Sequence, residues 1–355
     1  YGTRPELIKL QPALDSISPR WGISTIQTGQ HTSLLESTGL QDPRFESFQL
    51  PTPLHGLSLD EAVGEMVKGI GQLLSEIKPS LVLVQGDTTS ALAGALAARF
   101  SGVSVGHVEA GLRTFDDESP WPEEVNRRLV GQLATLHFAP TERSRENLLR
   151  EGISAEQIHV TGNTAVDAVE RKLEKLGIQP HETSREAGVV VMTLHRRESH
   201  GFPRRNALRR VAEFLDSHPG LRVRLLSHPN PRVISDLQNS GIEKHPRVEV
   251  CEPVTHDLLL KAVAEASFVI SDSGGIQEEA PSLQRTVFIA RDKTERPEAV
   301  YEGIHFLCGA DLAGLEASFK EWLISSPAAY RNPYGDGQAG KRIATVCEEY
   351  LVGDD

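Results

Sequence analysis

Short runs of continuous apolar residues recur along the chain. Each ends in a Gly, Asp, Ser or Thr turn and is followed by a stretch of helical character. Residues 80–84 (Ser-Leu-Val-Leu-Val) lead into Gly86-Asp87-Thr88-Thr89-Ser90, and the Ala/Leu-rich residues 91–100 read as a helix. Residues 103–108 end at Glu109, residues 136–139 at Pro140-Thr141, and residues 158–160 at Thr161-Gly162-Asn163. Such runs, bounded by turns, suit parallel strands buried on both faces. Their alternation with helices predicts βαβ units and a doubly wound sheet. The pattern restarts at residues 188–194 and continues through 223–226, 248–250, 268–270 and 286–290. Residues 172–187, charged and turn-prone, read as the connection between the two sets. The expectation is an α/β chain of two doubly wound domains with a cleft between them. Gly2-Thr3-Arg4-Pro5-Glu6 reads as the turn after a first strand, with a helix from Pro5, because proline suits the first helical turn. The strand feeding that turn would lie before Tyr1.

A length of 355 residues fits two domains. With 39% hydrophobic and 24% charged residues the chain is an ordered globular one. No run of about 18 apolar residues predicts a membrane span, and the first six residues lack the apolar stretch of a signal peptide. The net charge of −12 argues against a nucleic-acid partner, which wants a basic face, yet leaves room for a small anion held by a few arginines. Cys251, Cys308 and Cys347 are odd in number and widely spaced, so no disulfide framework or metal spacing is expected and a reducing, cytoplasmic compartment fits. Thirteen histidines form no HExxH, and no metal site is expected. There is no G-x-x-x-x-G-K-[ST] loop, no G-x-G-x-x-G after a strand and no G-x-S-x-G, which disfavours ATP hydrolysis, nicotinamide binding and a serine-hydrolase elbow.

The candidate chemistry lies at strand ends, where open α/β sheets bind ligands. Asp87 and Glu109 both fall there. Glu123 and Glu124 follow in Ser119-Pro120-Trp121-Pro122-Glu123-Glu124, ahead of Asn126-Arg127-Arg128. Converging carboxylates suit proton transfer, but an acidic residue after a strand also serves as a helix cap, and one at a helix start favours the dipole. Ser271-Asp272-Ser273-Gly274-Gly275-Ile276 opens a helix after a strand. Its small residues would let backbone N–H groups approach a phosphate, although a Gly-Gly pair also makes an ordinary turn. One turn on, Glu278-Glu279 could accept from ribose hydroxyls. Arg4, in the first turn, and Arg296, in Thr294-Glu295-Arg296-Pro297-Glu298, could hold a diphosphate bidentately, with Lys9 one helical turn beyond Pro5. His195, in His195-Arg196-Arg197-Glu198, suits phosphate contact or proton transfer. Each cation could equally be a solvated surface group.

Taken in order, these segments closely resemble the UDP-N-acetylglucosamine 2-epimerase family, of the non-hydrolysing bacterial type. The segments that carry the likeness are Gly2-Thr3-Arg4-Pro5-Glu6 with Lys9, Thr28-Gly29-Gln30-His31, and Gly86-Asp87-Thr88-Thr89. Residues 106–114 (Gly-His-Val-Glu-Ala-Gly-Leu-Arg-Thr) and Pro120-Trp121-Pro122-Glu123-Glu124 with Asn126-Arg127 follow. The second half adds His195-Arg196-Arg197-Glu198, residues 272–282, residues 294–298, and Asn332-Pro333-Tyr334-Gly335-Asp336-Gly337. Single motifs are modestly specific; the ordered set, spanning nearly the whole chain, is very specific.

The resemblance implies a GT-B fold: two Rossmann-like domains at 1–168 and 169–338, then a helix at 339–355 crossing back to the first. It implies reversible conversion of UDP-GlcNAc to UDP-ManNAc, without metal or nicotinamide cofactor, by elimination of UDP to a 2-acetamidoglucal and re-addition. By motif, Asp87, Glu109 and Glu123 are acid/base candidates, with the one that takes the C2 proton left open. His195 is placed on the diphosphate or leaving group, and Lys9 on the substrate. Arg4, Ser273, Gly274, Gly275, Glu279 and Arg296 match UDP-binding positions, Glu279 on the ribose. A homodimer is the family habit.

Two departures stand out. Val254 and Leu259 occupy places where the family has a uracil-lining Gln and Phe. Gln30-His31-Thr32-Ser33 breaks the Gln-His-x-Gln run of allosteric members, and residues 56–79 contain no Arg, which implies weak or absent activation by UDP-GlcNAc. The competing expectations are a hydrolysing relative that releases ManNAc and UDP, a 2-epimerase of a modified UDP-GlcNAc, a glycosyltransferase on the same fold, and a non-catalytic UDP-sugar-binding module.

Overall fold

The computed structural model describes residues 1–29, 44–51, 54, 56–181, 183–196, 200–228, 230–325 and 331–353. Two compact units emerge: Tyr1–Ala168 with Tyr334–Asp355, and Val169–Pro333. Among the described residues no helix is long and apolar enough to cross a membrane.

In the first unit β1 (Ser24–Gln27) pairs with β2 (Glu46–Gln49) in parallel. A separate parallel sheet runs β3 (Leu81–Gln85), β4 (Ser104–Val108), β5 (Leu136–Ala139) and β6 (Ile158–Val160), in that order. The apolar pattern does not announce β1 and β2. They are four residues each, half-exposed, and carry single large apolar residues such as Ile26 and Phe48 rather than a buried run. Tyr1 joins β1: its amino group donates to Ile26 O at 3.0 Å, and Thr28 N donates to Tyr1 O at 2.9 Å. A groove of about 900 Å³ borders β1 and β3, lined by Ile26, Phe48, Leu81 and Leu83. The helix Ala339–Gly353 packs on the helix Arg4–Ser16, with Ile343 and Cys347 against Leu10 and Ala13. Gly340 allows this approach, since a Cβ there would lie 2.4 Å from the Pro12 carbonyl carbon.

The second unit holds one six-stranded parallel sheet. Its strands are β7 (Gly188–Thr193), β8 (Leu221–Leu226), β9 (Val248–Cys251), β10 (Phe268–Ser271), β11 (Val287–Ile289) and β12 (Phe306–Leu307). The order is β12-β11-β10-β7-β8-β9, so the winding reverses between β7 and β10. That reversal is where doubly wound sheets open a crevice for ligands. Phe214, Phe268, Phe288, Phe319 and Trp322 meet in edge-to-face and tilted pairs beneath it, an arrangement that adds to area burial.

The expected connection at 172–187 needs correction. Residues up to Leu176 belong to the helix Thr164–Leu176. Its charges, Glu170, Arg171, Glu174 and Lys175, are the exposed face, while Val166, Val169 and Leu173 are buried at helical spacing. The charge run is a solvated helix face, and the division between the units falls inside it.

Candidate active site

Within the first unit, β3 and β4 are register partners, Gln85 opposite Val108, so Asp87 and Glu109 leave neighbouring strand ends. Glu109 has φ of 67°, the left-handed region that an L side chain enters at a cost of about 1 kcal/mol or more. The backbone around it is fixed: Ala110 N donates to Phe138 O at 3.0 Å, and Asn147 Nδ2 to Gly111 O at 2.9 Å. Gly111, φ 85°, packs where a Cβ would lie 2.2 Å from Ser144 O. The kink turns the buried Glu109 carboxylate toward two donors on one oxygen. Lys9 Nζ lies 2.6 Å from Oε2, and Gln85 Nε2 lies 2.5 Å from it.

Asp87 is held separately. Arg127 Nη2 forms an ion pair with its carboxylate, and Asn126 Nδ2 donates to its carbonyl at 2.9 Å. The neighbouring Gly86 carbonyl accepts from His107 Nε2 at 2.8 Å. Glu124, wholly buried, accepts from Thr114 N at 3.1 Å, from Phe115 N at 3.0 Å and from Arg127 Nη1 at 3.1 Å, so it is built into the loop. Glu123, beside it in the first turn of the helix Glu123–Leu133, is half-buried instead. Glu6 ties the loops of Arg4 and Asp87 together. Its Oε2 accepts from Gly2 N at 3.1 Å and from Thr3 N and Oγ1 at 2.8 Å, and its Oε1 from Thr88 Oγ1 at 2.8 Å. Arg4 itself is half-buried in the first helical turn.

In the second unit, His195 and the Ser273-Gly274-Gly275 loop leave β7 and β10, the pair flanking the reversal. Asp272, fully buried, orders the first of these. Its carboxylate accepts from His195 N at 3.0 and 3.1 Å and from Arg196 N at 2.9 Å. The His195 ring, 3.6 Å from Asp272 Oδ1 through Nδ1, stacks on His228 with centroids 5.7 Å apart. Arg296 is buried and forked: Nε donates to Glu278 Oε1 at 2.5 Å, and Nη1 pairs with Glu295, which also takes Arg291 Nη1 at 2.8 Å. A Cβ on Gly274 would lie 2.7 Å from Arg296 Nη1 and 3.5 Å from Arg196 Nη2, so this glycine lets two guanidinium groups reach the loop. Gly275 has its Cβ side nearly open, with only Ser273 Oγ near at 3.9 Å. Glu279 meets His256. Val254 is exposed, and Leu259 packs against the core on the β7–β10 side. Gln30-His31-Thr32-Ser33 and Arg197-Glu198 lie outside the described residues.

The motifs name Lys9 and Glu109 separately, and the sequence does not reveal their pairing or the partner roles of Gln85, Glu6, Asp272, Glu278 and Glu295. Gln85 had one available signal, since it is the last polar residue of an apolar strand.

Burial lowers the His107 ring to about 3, helped by the nearby charge of His137, while its bond to Gly86 works the other way. Burial likewise lowers His137 and His305 to about 4. These rings are neutral when folded, but the unfolded chain takes protons near 6.5. Stability present above pH 6.5 should therefore drain away as pH falls toward 4. Thermal melts should show a lower Tm at pH 5 than at pH 7.5, less so in His137→Gln; a flat profile would refute this.

Residues 17–348 match the profile of the UDP-N-acetylglucosamine 2-epimerase family. The chain belongs to this family. It is 37% identical to the UDP-N-acetylglucosamine 2-epimerase of Salmonella typhimurium, over 99% of this chain and 98% of that one. The crystal structure of UDP-GlcNAc 2-epimerase from Neisseria meningitidis bound to UDP-GlcNAc is 35% identical, with a TM-score of 0.85 over 99% of this chain and 98% of that one. The Methanocaldococcus jannaschii UDP-GlcNAc 2-epimerase, solved with UDP-GlcNAc and UDP, is 33% identical with a TM-score of 0.82, covering 98% of each chain. These likenesses bear out the family expected from the motifs and the α/β fold class of GT-B type.

Proposed function

We propose that this UDP-N-acetylglucosamine 2-epimerase family member interconverts UDP-GlcNAc and UDP-ManNAc without net hydrolysis. The observation that carries the proposal is the pair of carboxylates, Asp87 and Glu109, at adjacent strand ends, each set on a cation and each at the family's motif position. In the proposed reaction a carboxylate removes the C2 proton as the C1–O bond to UDP breaks. The electron pair of the C–H bond becomes the C1–C2 double bond of 2-acetamidoglucal. UDP then re-adds at C1 while a proton returns to the opposite face of C2. A weakly acidic C–H needs a placed base, and Asp87, Glu109 and Glu123 are the groups for the two proton transfers. The departing diphosphate needs fixed positive charge, for which Arg4, Arg296, His195 and the N–H groups of Ser273, Gly274 and Gly275 are suited. Lys9 serves the substrate beside Glu109, and Glu279 the ribose.

Proton NMR with UDP-GlcNAc in D₂O tests the reading. UDP-ManNAc carrying deuterium at C2 is the expected product. Free ManNAc and UDP would move the chain to hydrolysing chemistry, and no turnover of UDP-GlcNAc would remove this substrate from consideration.

A further inference from the structure

Glu279 closes the helix Gly274–Glu279, and its carboxylate has a partner that no motif announces. His256 Nε2 lies 3.0 Å from Oε1 and 3.0 Å from Oε2. On the other side of the ring, Nδ1 lies 3.1 Å from Lys172 Nζ. An ammonium only donates, so Nδ1 is the accepting nitrogen and the ring proton sits on Nε2. In that tautomer a single N–H is shared between both oxygens of Glu279. Lys172 is itself fixed by Asp257 Oδ1 at 2.6 Å. The histidine is held by its place as first residue of the helix His256–Glu265, capped by Thr255. The His256 and Glu279 side chains keep only 20% and 19% of their exposure, so the pair is shielded beyond what an ordinary surface ion pair enjoys.

We infer that His256 is a positioning residue which, with Lys172 behind it, fixes the Glu279 carboxylate for the two hydroxyls of a ribose. This rests on the reading of the second unit as a nucleotide site. A free glutamate side chain must be ordered when a ligand arrives, and that ordering weakens binding. One N–H shared symmetrically sets the carboxylate plane while each oxygen retains lone-pair capacity, two acceptors side by side for the two donors of a vicinal diol. Lys172 holds the proton on the nitrogen that faces Glu279.

The test compares binding of UDP, 2′,3′-dideoxy-UDP and inorganic pyrophosphate to the full chain and to His256→Ala and His256→Gln. The wild type should prefer UDP to the dideoxy nucleotide. His256→Ala should cut that preference about tenfold, the size of one hydrogen bond to a charged group, with dideoxy-UDP and pyrophosphate affinities unchanged. His256→Gln, whose amide N–H can take the same place, should keep most of it. An undiminished preference in His256→Ala would overturn the inference alone. So would an equal loss for all three ligands, which marks damage to the loop, or tighter UDP binding, which marks His256 as a competitor. A wild type that binds UDP no better than the dideoxy form would instead sink the ribose role of Glu279, and the inference with it.

Discussion

Replacing Glu109 by Gln should lower kcat by about 10²–10⁴-fold while UDP still binds. The substitution keeps the side chain's length and its left-handed backbone position, so the kink at φ 67° is not further disturbed. What it removes is the proton-accepting oxygen and the negative charge facing Lys9 Nζ at 2.6 Å. Gln85, 2.5 Å from the same oxygen, can still meet an amide oxygen there. If Glu109 moves a proton at C2, deuterium uptake from D₂O into the sugar should fall together with epimerisation, since both need the same C–H cleavage. If it only orients the sugar, KM should rise while kcat holds. UDP affinity serves as the check on integrity, because the residues assigned to the nucleotide, Arg4 apart, lie in the second unit. Near-normal exchange and turnover in Glu109→Gln would remove this residue from the acid/base set and leave Asp87 and Glu123.

The strand ends proposed to carry this chemistry were legible because β3, β4, β7 and β10 are short, mostly apolar runs ending at conspicuous polar residues. A strand buried on both faces writes itself into sequence as unbroken hydrophobicity. The pair β1 and β2 did not, because half-exposed strands of four residues leave only an isolated Ile26 or Phe48. Partnerships were harder still. Lys9 and Glu109 are 100 positions apart, and nothing local to either requires the other. Asp272 looked like one member of a Gly-rich turn, yet its carboxylate orders the backbone after a strand 77 residues earlier. The adjacent Glu295 and Arg296 resemble a surface charge pair until burial is known; inside, they are joined to Arg291 and Glu278, which the local sequence does not reveal as partners. Motif order thus named the groups proposed to face a ligand, while the residues that hold those groups in place depend on tertiary pairing.

That division sets the expectation for Arg296→Met, which should cost both nucleotide affinity and the stability of the second unit. Arg296 is 7% exposed, and its fork joins Glu278 and Glu295, at 0% and 3%. Removing one partner of a buried ion pair typically costs about 3–5 kcal/mol, because the remaining charge stays desolvated. Here the loss is shared, since Arg291 still bonds Glu295 at 2.8 Å, so a fall in Tm of about 10 °C or less is expected. A buried carboxylate that loses its cation holds a proton to higher pH, so its folded pKa rises above the unfolded value. The mutant then gains protons on folding as pH falls, and its deficit relative to wild type should narrow between pH 7.5 and pH 5. Arg296→Lys keeps the charge but not the fork, and should recover part of the stability with little of the diphosphate affinity. UDP binding should weaken by about ten- to a hundredfold in the Met variant, the range of a lost charge-assisted hydrogen bond. Melting curves at both pH values beside UDP titrations decide the matter. A Met variant with wild-type Tm and wild-type UDP affinity would mean that the network is incidental; one that loses stability alone would make Arg296 a structural arginine and pass the diphosphate to Arg4 and the Ser273–Gly275 backbone.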